Sequence, residues 1–136
     1  VAGILVSDYD GTVTRRDFYS LLAERCIPAG AEDHFARYRR GEISHLEAMA
    51  GYFAHAPCDE AALEALIEAT EPDPGLGESA RRLEVAGWEL IVISAGCSWY
   101  IERVLRRAGV RAEVYANPGR VVQGRGLVRS STPHRM

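Results

Sequence analysis

The 136-residue sequence contains no lysine: all sixteen of its basic residues are arginines, against nineteen acids, for a formal net charge of −3. A negative balance excludes the basic footprint that nucleic-acid binding needs, so no nucleic-acid partner is expected. Long apolar runs are lacking too, none approaching the ~20 residues of a membrane helix, and the start carries no signal-peptide pattern. The expectation is a soluble cytoplasmic protein without a membrane partner. Cysteine is sparse: Cys26, Cys58 and Cys97 are odd in number, widely spaced and without the paired spacing of a metal site, which suits buried, reduced thiols. His34, His45, His55 and His134 share no spacing either, and surface or capping roles suit them better than metal binding. What remains is ordinary for a globular chain: 47% hydrophobic residues, and a length that allows one domain with a small insertion.

The chain is organised around its first fourteen residues. Ile4, Leu5 and Val6 are consecutive apolar residues, as expected of a parallel strand buried on both faces, and the run ends abruptly at Asp8-Tyr9-Asp10-Gly11-Thr12. Gly11 lets the chain turn just beyond the acids. Open α/β sheets bind ligands outside the carboxyl ends of their strands, where two carboxylates at i and i+2 can converge. Asp8, nearer the strand, suits a nucleophile. Asp10 suits the acid that protonates a leaving group and the base that later activates water. A solvated turn is the competing reading, and the strand-D-x-D-G-T context favours chemistry.

Helical periodicity then takes over. Thr14 to Asp17 has the form of a capping box, with Phe18, Leu21 and Leu22 on one face of a helix that stops before Pro28. Phe35 and Tyr38 mark a second helix ending near Gly41; Ser44 to Glu47 is another box, opening a helix with Met49 and Phe53; Asp59 caps a fourth with Leu63, Leu66 and Ile67. Arg37, Arg39 and Arg40 cluster on the second of these, where a solvated face is a better reading than a patch that greets anions. Pro72-Asp73-Pro74-Gly75 breaks the pattern and marks a boundary, after which helix and strand alternate as in an α/β core. A helix reaches Gly87, Trp88 to Ile93 is a second buried strand, Ser94-Ala95-Gly96 lies at its carboxyl end, and Ser98 caps the next helix, which Gly109 stops. Ala112 to Ala116 reads as a short third strand. Val121-Val122 and Leu127-Val128 flank Gly124-Arg125-Gly126 as a hairpin.

The first motif resembles the opening signature of the haloacid-dehalogenase superfamily, mostly Mg²⁺-dependent phosphatases that work through an aspartyl-phosphate. That resemblance implies a Rossmann-like core (residues 1–14 and 75–136) with an inserted α-helical cap (15–74). It implies Asp8 as nucleophile and metal ligand, and Asp10 as acid/base with its main-chain carbonyl on Mg²⁺. Ile93-Ser94-Ala95-Gly96 is similar to the second signature, so the Ser94 hydroxyl and the amides of Ala95 and Gly96 would bind a phosphoryl group. The insertion resembles the cap of the phosphoserine-phosphatase-like branch, where a carboxylate at the position of Asp17 contacts substrate; helix capping explains Asp17 equally well. Counting from Gly41-Glu42-Ile43-Ser44, the arginine that would hold a serine carboxylate falls on Tyr52, which argues against phosphoserine. Within the branch, Ser7 to Thr14, Ile93 to Ile101 and Ala116-Asn117 look most like the methionine-salvage phosphatases acting on 2-hydroxy-3-keto-5-methylthiopentenyl-1-phosphate.

Two family features are missing: the lysine that neutralises the phosphoryl group, and an acidic cluster after another strand that completes the metal site. The only acids after Ser94 are Glu102 and Glu113. The expectation is therefore an amino-terminal part of a phosphatase for a small phosphorylated metabolite, with little activity alone. The alternative is a catalytically silent binding or dimerisation module, a homodimer that uses the exposed edge of the sheet.

Overall fold

Three parallel strands form the centre: β1 (Gly3–Ser7), β2 (Trp88–Cys97) and β3 (Glu113–Asn117), in the spatial order β1-β2-β3. This computed structural model describes residues 2–57, 59–122 and 126–129, with side chains up to residue 119. Gly3 pairs with Trp88 through to Ser7 with Val92, and Val92 pairs with Val114. Paired residues of parallel strands point to the same face, so Leu5, Leu90, Val92 and Val114 share one side and Ile4, Val6, Ile93 and Tyr115 the other. The first side carries the core at β2 and β3, whereas Leu5 on β1 is 41% exposed. Val92 and Val114 are each 1% exposed there, in one apolar cluster with Ile101, Val104 and Leu105.

The second side is open, and this corrects the expectation of a β1 buried on both faces. Ile4, Val6, Ile93 and Tyr115 are 54%, 56%, 52% and 43% exposed. Among the described residues β1 is an edge strand, with β2 as its one neighbour. The crossovers explain the one-sided cover: successive right-handed connections β1 to β2 to β3 put both linking helices on the same face.

Between β1 and β2 the chain makes α1 (Phe18–Cys26), α2 (His34–Arg39), α3 (His45–Phe53), α4 (Glu60–Ala69) and α5 (Leu76–Val85); α6 (Ser98–Arg107) joins β2 to β3. Side-chain caps start the first four. Asp17 Oδ1 accepts the amides of Tyr19 and Ser20, Asp33 that of Ala36, Ser44 Oγ that of Glu47, and Asp59 that of Ala61. The box expected from Thr14 does not form. Thr14 Oγ1 instead accepts the Gly11 amide at 3.2 Å and donates to the Arg16 carbonyl at 2.9 Å, which closes the acidic loop rather than a helix. Ser98 is likewise not a cap: it is the first residue of α6 and buried, and Cys97 holds the cap position without a side-chain bond. Cys97 is buried and Cys26 only half-buried; Cys58 lies outside the described residues.

The α1–α4 segment leaves and rejoins the sheet through two chains that pair side by side. Thr14 and Pro72 form an antiparallel bridge, flanked by Asp73 N–H to Val13 O (2.9 Å), Arg15 N–H to Glu71 O (3.1 Å) and Arg16 N–H to Thr70 O (2.9 Å). Glu71 sits in the left-handed region at φ 53°. Phe18, fully buried at the start of α1, stacks on Tyr100 of α6 at 4.2 Å between centroids and so locks the helical segment to the sheet layer. The expected hairpin is present as β4 (Gly119–Val122) and β5 (Gly126–Arg129), antiparallel and separate from the main sheet; its turn lies outside the described residues.

Candidate active site

The acidic loop is built by alternation. Tyr9, 1% exposed, points into the core beside Tyr100, so Asp8 and Asp10 on either side of it point the other way. The Tyr9 carbonyl accepts the amides of Thr12, Val13 and Thr14, and Gly11 takes φ 78°, a conformation that an L side chain would strain. β2 runs further than its apolar pattern suggests. Ser94, Ala95 and Gly96, expected after the strand, lie within its final stretch, which runs to Cys97, and the register to β3 shifts between Ile93 and Cys97, which re-aims them. The Gly96 amide donates to Ser94 Oγ at 2.9 Å, and Asn117 Nδ2 pins the Ala95 carbonyl at 2.7 Å.

A cavity of about 380 Å³ lies where these pieces meet. Every residue singled out in the sequence lines it: Asp8, Asp10, Asp17, Ser94, Ala95 and Gly96. Asp17 serves two ends at once, capping α1 through Oδ1 while facing the cavity. The opposite wall comes from α1 to α3 and carries Tyr19, Phe35, His45, Met49 and Tyr52. Among these, Tyr52 was reached by counting along the sequence and His45 sits in the Ser44–Glu47 box, where a surface or capping role was expected; Tyr19, Phe35 and Met49 carry no motif. Arg37 and Arg40 pair with Glu32 and Glu42 at the surface, a solvated face as expected.

Both oxygens of Asp10 are held. Oδ1 accepts the Phe18 amide and Oδ2 the hydroxyl of Tyr100, each at 3.0 Å. Tyr100 was not singled out as a site residue. Its signal was its place on the inward stripe in the first turn of α6, directly after the Ser94 segment. Burial raises the Asp10 carboxyl above its ordinary range, with the charges of Asp17 and Asp8 adding to the rise and the Phe18 amide and Tyr100 hydroxyl opposing it. Burial also pushes the Cys97 thiol up to about 12, so it stays protonated and inert.

A carboxyl whose pKa is higher in the folded than in the unfolded chain stabilises the fold in its protonated form, fully below the unfolded value of about 4. That contribution is lost as pH rises through the folded value. Asp10→Asn is therefore expected to gain stability relative to the wild type as pH rises across this window. Urea unfolding of both proteins at a series of pH values measures it, and a pH-independent difference would contradict the shift.

Comparison with known proteins decides the family. Residues 5–135 match the haloacid dehalogenase-like hydrolases. The chain belongs to that family. A phosphoserine phosphatase of Idiomarina loihiensis is 30% identical over 127 residues, covering 90% of this chain and 56% of its own length. A 2-hydroxy-3-keto-5-methylthiopentenyl-1-phosphate phosphatase of Bacillus cereus is 26% identical over 112 residues, covering 81% of this chain and 51% of its own. This haloacid dehalogenase-like chain thus spans about half the length of the curated relatives it matches. Its fold is also that of a HAD family hydrolase from Salmonella enterica serovar Typhi (TM-score 0.74, 17% identity, 98% of this chain and 46% of that one). The structure of a phospho-aspartyl intermediate analogue of phosphoserine phosphatase is similar as well (TM-score 0.64, 17% identity, 93% and 60%). The Rossmann-like parallel sheet of the family is therefore present, with three strands among the described residues.

Proposed function

We propose that this chain carries the nucleophile, the acid/base and the cap of a phosphomonoester phosphatase acting on a small phosphorylated metabolite. The observation that carries the reading is the unequal treatment of two carboxylates in one cavity: Asp8 is exposed to it, whereas Asp10 is held at both oxygens and kept toward its protonated form. Environments that push two carboxyls apart assign their roles. Asp8 attacks phosphorus, the bond from phosphorus to the substrate oxygen breaks, and Asp10 gives its proton to that oxygen. Water then attacks the aspartyl-phosphate at phosphorus while Asp10 takes its proton, which releases phosphate and restores Asp8. The Ser94 hydroxyl and the Ala95 amide hold the phosphoryl oxygens, the Gly96 amide, expected to join them, instead donates to Ser94 Oγ and so aims that hydroxyl, and Asp17 meets the substrate. Residues 1–14 and 75–136 act as core and 15–74 as cap, with the paired strands at Thr14 and Pro72 as its hinge.

The Asp8 carboxylate and the Asp10 carbonyl are hard oxygen donors of the kind Mg²⁺ takes alongside water and phosphate oxygens. Among the described residues no group of three His, Cys, Asp or Glu side chains is arranged to hold a metal. Asp8 and Asp10 would therefore hold Mg²⁺ with few protein ligands, and the bound ion would offset charge on the transferring phosphoryl group. Among the described residues no helix is long and apolar enough to cross a membrane, which is compatible with a cytoplasmic setting. A role in methionine salvage is supported by the Bacillus cereus relatives and by the tyrosine at position 52 in place of an arginine. The test is Mg²⁺-dependent release of phosphate from p-nitrophenyl phosphate, with Asp8→Asn as control. Turnover that survives Asp8→Asn would overturn the assignment.

A second reading, a silent module that dimerises, is favoured by the open apolar side of the sheet. Concentration-independent monomers in sedimentation would dismiss it.

A further inference from the structure

Building on the phosphatase reading, we propose that the wall opposite Asp8 selects the substrate's organic part: a neutral, apolar tail without a carboxylate. The two halves of the cavity differ sharply in chemistry. The acidic loop and the start of α1 bring the carboxylates Asp8, Asp10 and Asp17, with Tyr19 near enough to feel the charges of Asp10 and Asp17, whereas α2 and α3 bring Phe35, Met49 and Tyr52. Tyr52 turns its hydroxyl away to donate to Asp33 at 3.1 Å, and its ring lies against Phe35 at 4.7 Å, so the ring is what the cavity meets. Tyr19 packs on Phe53 at 4.9 Å, and its buried hydroxyl has no hydrogen-bond partner among the described residues. Small-molecule sites are mostly apolar with a few polar groups that set orientation, and this wall has that make-up.

The charge pattern points the same way. Among the described residues no arginine lines the cavity. Arg37 and Arg40 are paired with Glu32 and Glu42 on the surface, and exposed Arg39 acts electrostatically on Asp33 and Tyr52 from outside the lining. A carboxylate on the tail would enter beside three acids with no arginine to pair with among the described lining residues, and would lose water in doing so. An apolar tail instead gains dispersion contact with two aromatic rings and the polarizable Met49 sulfur. His45 of α3 and Ser20 of α1, also in the lining, can each both donate and accept, enough to orient a hydroxyl or carbonyl.

The sequence holds two methionines, Met49 and Met136, so ¹³C-methyl labelling of methionine gives a probe inside the cavity and a second at the chain end. The labelled chain is titrated with two non-hydrolysable phosphonates, pentylphosphonate and 2-amino-3-phosphonopropionate. The Met49 signal is expected to shift with pentylphosphonate and to saturate at a concentration at least ~10-fold lower than with the amino-acid phosphonate. Tyr52→Arg should reverse that order and Tyr52→Phe should keep it. An unmoved Met49 signal with pentylphosphonate, or equal or tighter binding of 2-amino-3-phosphonopropionate by the wild type, would overturn the proposal. The readout needs no turnover. A normal Met49 response without Asp8-dependent phosphate release would sink the phosphatase reading and leave the tail selectivity standing.

Discussion

Mg²⁺-dependent turnover of p-nitrophenyl phosphate by the 136-residue chain is expected at least ~100-fold below the ~1 s⁻¹ of an ordinary enzyme, and what remains should vanish in Asp8→Asn. The cause is electrostatic repulsion. A phosphate entering the cavity would meet Asp8 together with Asp10 and Asp17, and no arginine lines it among the described residues. At about 4 Å, one pair of like unit charges costs ~1 kcal/mol in water and ~4 kcal/mol at an effective dielectric of 20. The larger figure corresponds to roughly a thousandfold in rate if nothing opposes it. Arginine could stand in for the family lysine, yet Arg120 and Arg129 belong to β4 and β5, a pair apart from the main sheet, and Arg125 lies outside the described residues. Packing leads to the same expectation, since among the described residues the outer edge of β1 is unpaired and Ile4, Val6 and Ile93 are exposed. A chimera in which the remainder of the Idiomarina loihiensis phosphatase, beyond its match to this chain, follows Met136 should pair that edge and raise turnover by at least ~100-fold. Turnover near ~1 s⁻¹ by the chain alone, lost in Asp8→Asn, would show it to be sufficient; a chimera no faster than the chain would show that the missing charge is not the limit.

Most of this fold was legible because its signals are local. Capping residues before apolar stripes located α1, α3 and α4, even where Asp17 rather than Thr14 turned out to be the cap, and α2 was marked by Phe35, Tyr38 and Gly41 without its Asp33 cap. The glycines after α5 and α6 marked their ends, and both take positive φ. The acidic loop and the Ser94 segment were legible because each is a strand followed by small or acidic residues. Their meeting in one cavity follows from parallel pairing, which brings the carboxyl ends of β1 and β2 side by side. What failed to show was whatever depends on neighbours distant in sequence. The apolar pattern of Ile4, Leu5 and Val6 says that burial would be favourable and cannot say whether a partner strand is there. Tyr100 reaches Asp10 across ninety residues, and in the sequence it is only one more apolar position in α6. The aromatic wall was hidden for a similar reason, since Tyr19, Phe35 and Met49 obey the same helical period whether they face a core or a cavity.

That long-range contact is also where a single methyl group should do most damage. A Cβ on Gly96 would run into the Tyr100 hydroxyl and lie 2.9 Å from Asp10 Oδ2, at the point where β2, α6 and the acidic loop converge. Neither neighbour has room to yield. Tyr100 is buried between the rings of Phe18 and Tyr9, and Asp10 is tied to the Phe18 amide. Gly96→Ala is therefore expected to cost about 2–3 kcal/mol of stability, the range of an overpacked core combined with a broken buried hydrogen bond. It should also lower any Asp8-dependent turnover by ~100-fold or more, because the acid would be shifted relative to the nucleophile. Tyr100→Phe removes the hydroxyl that the new methyl would strike, so the double variant Gly96→Ala with Tyr100→Phe should be more stable than the two single costs added together. Its turnover should stay low, since Asp10 has still lost its partner. Denaturant unfolding of the four proteins closes the cycle. Strict additivity would place the clash elsewhere, and a Gly96→Ala variant with wild-type stability would mean that Tyr100 does not sit over Gly96 in solution.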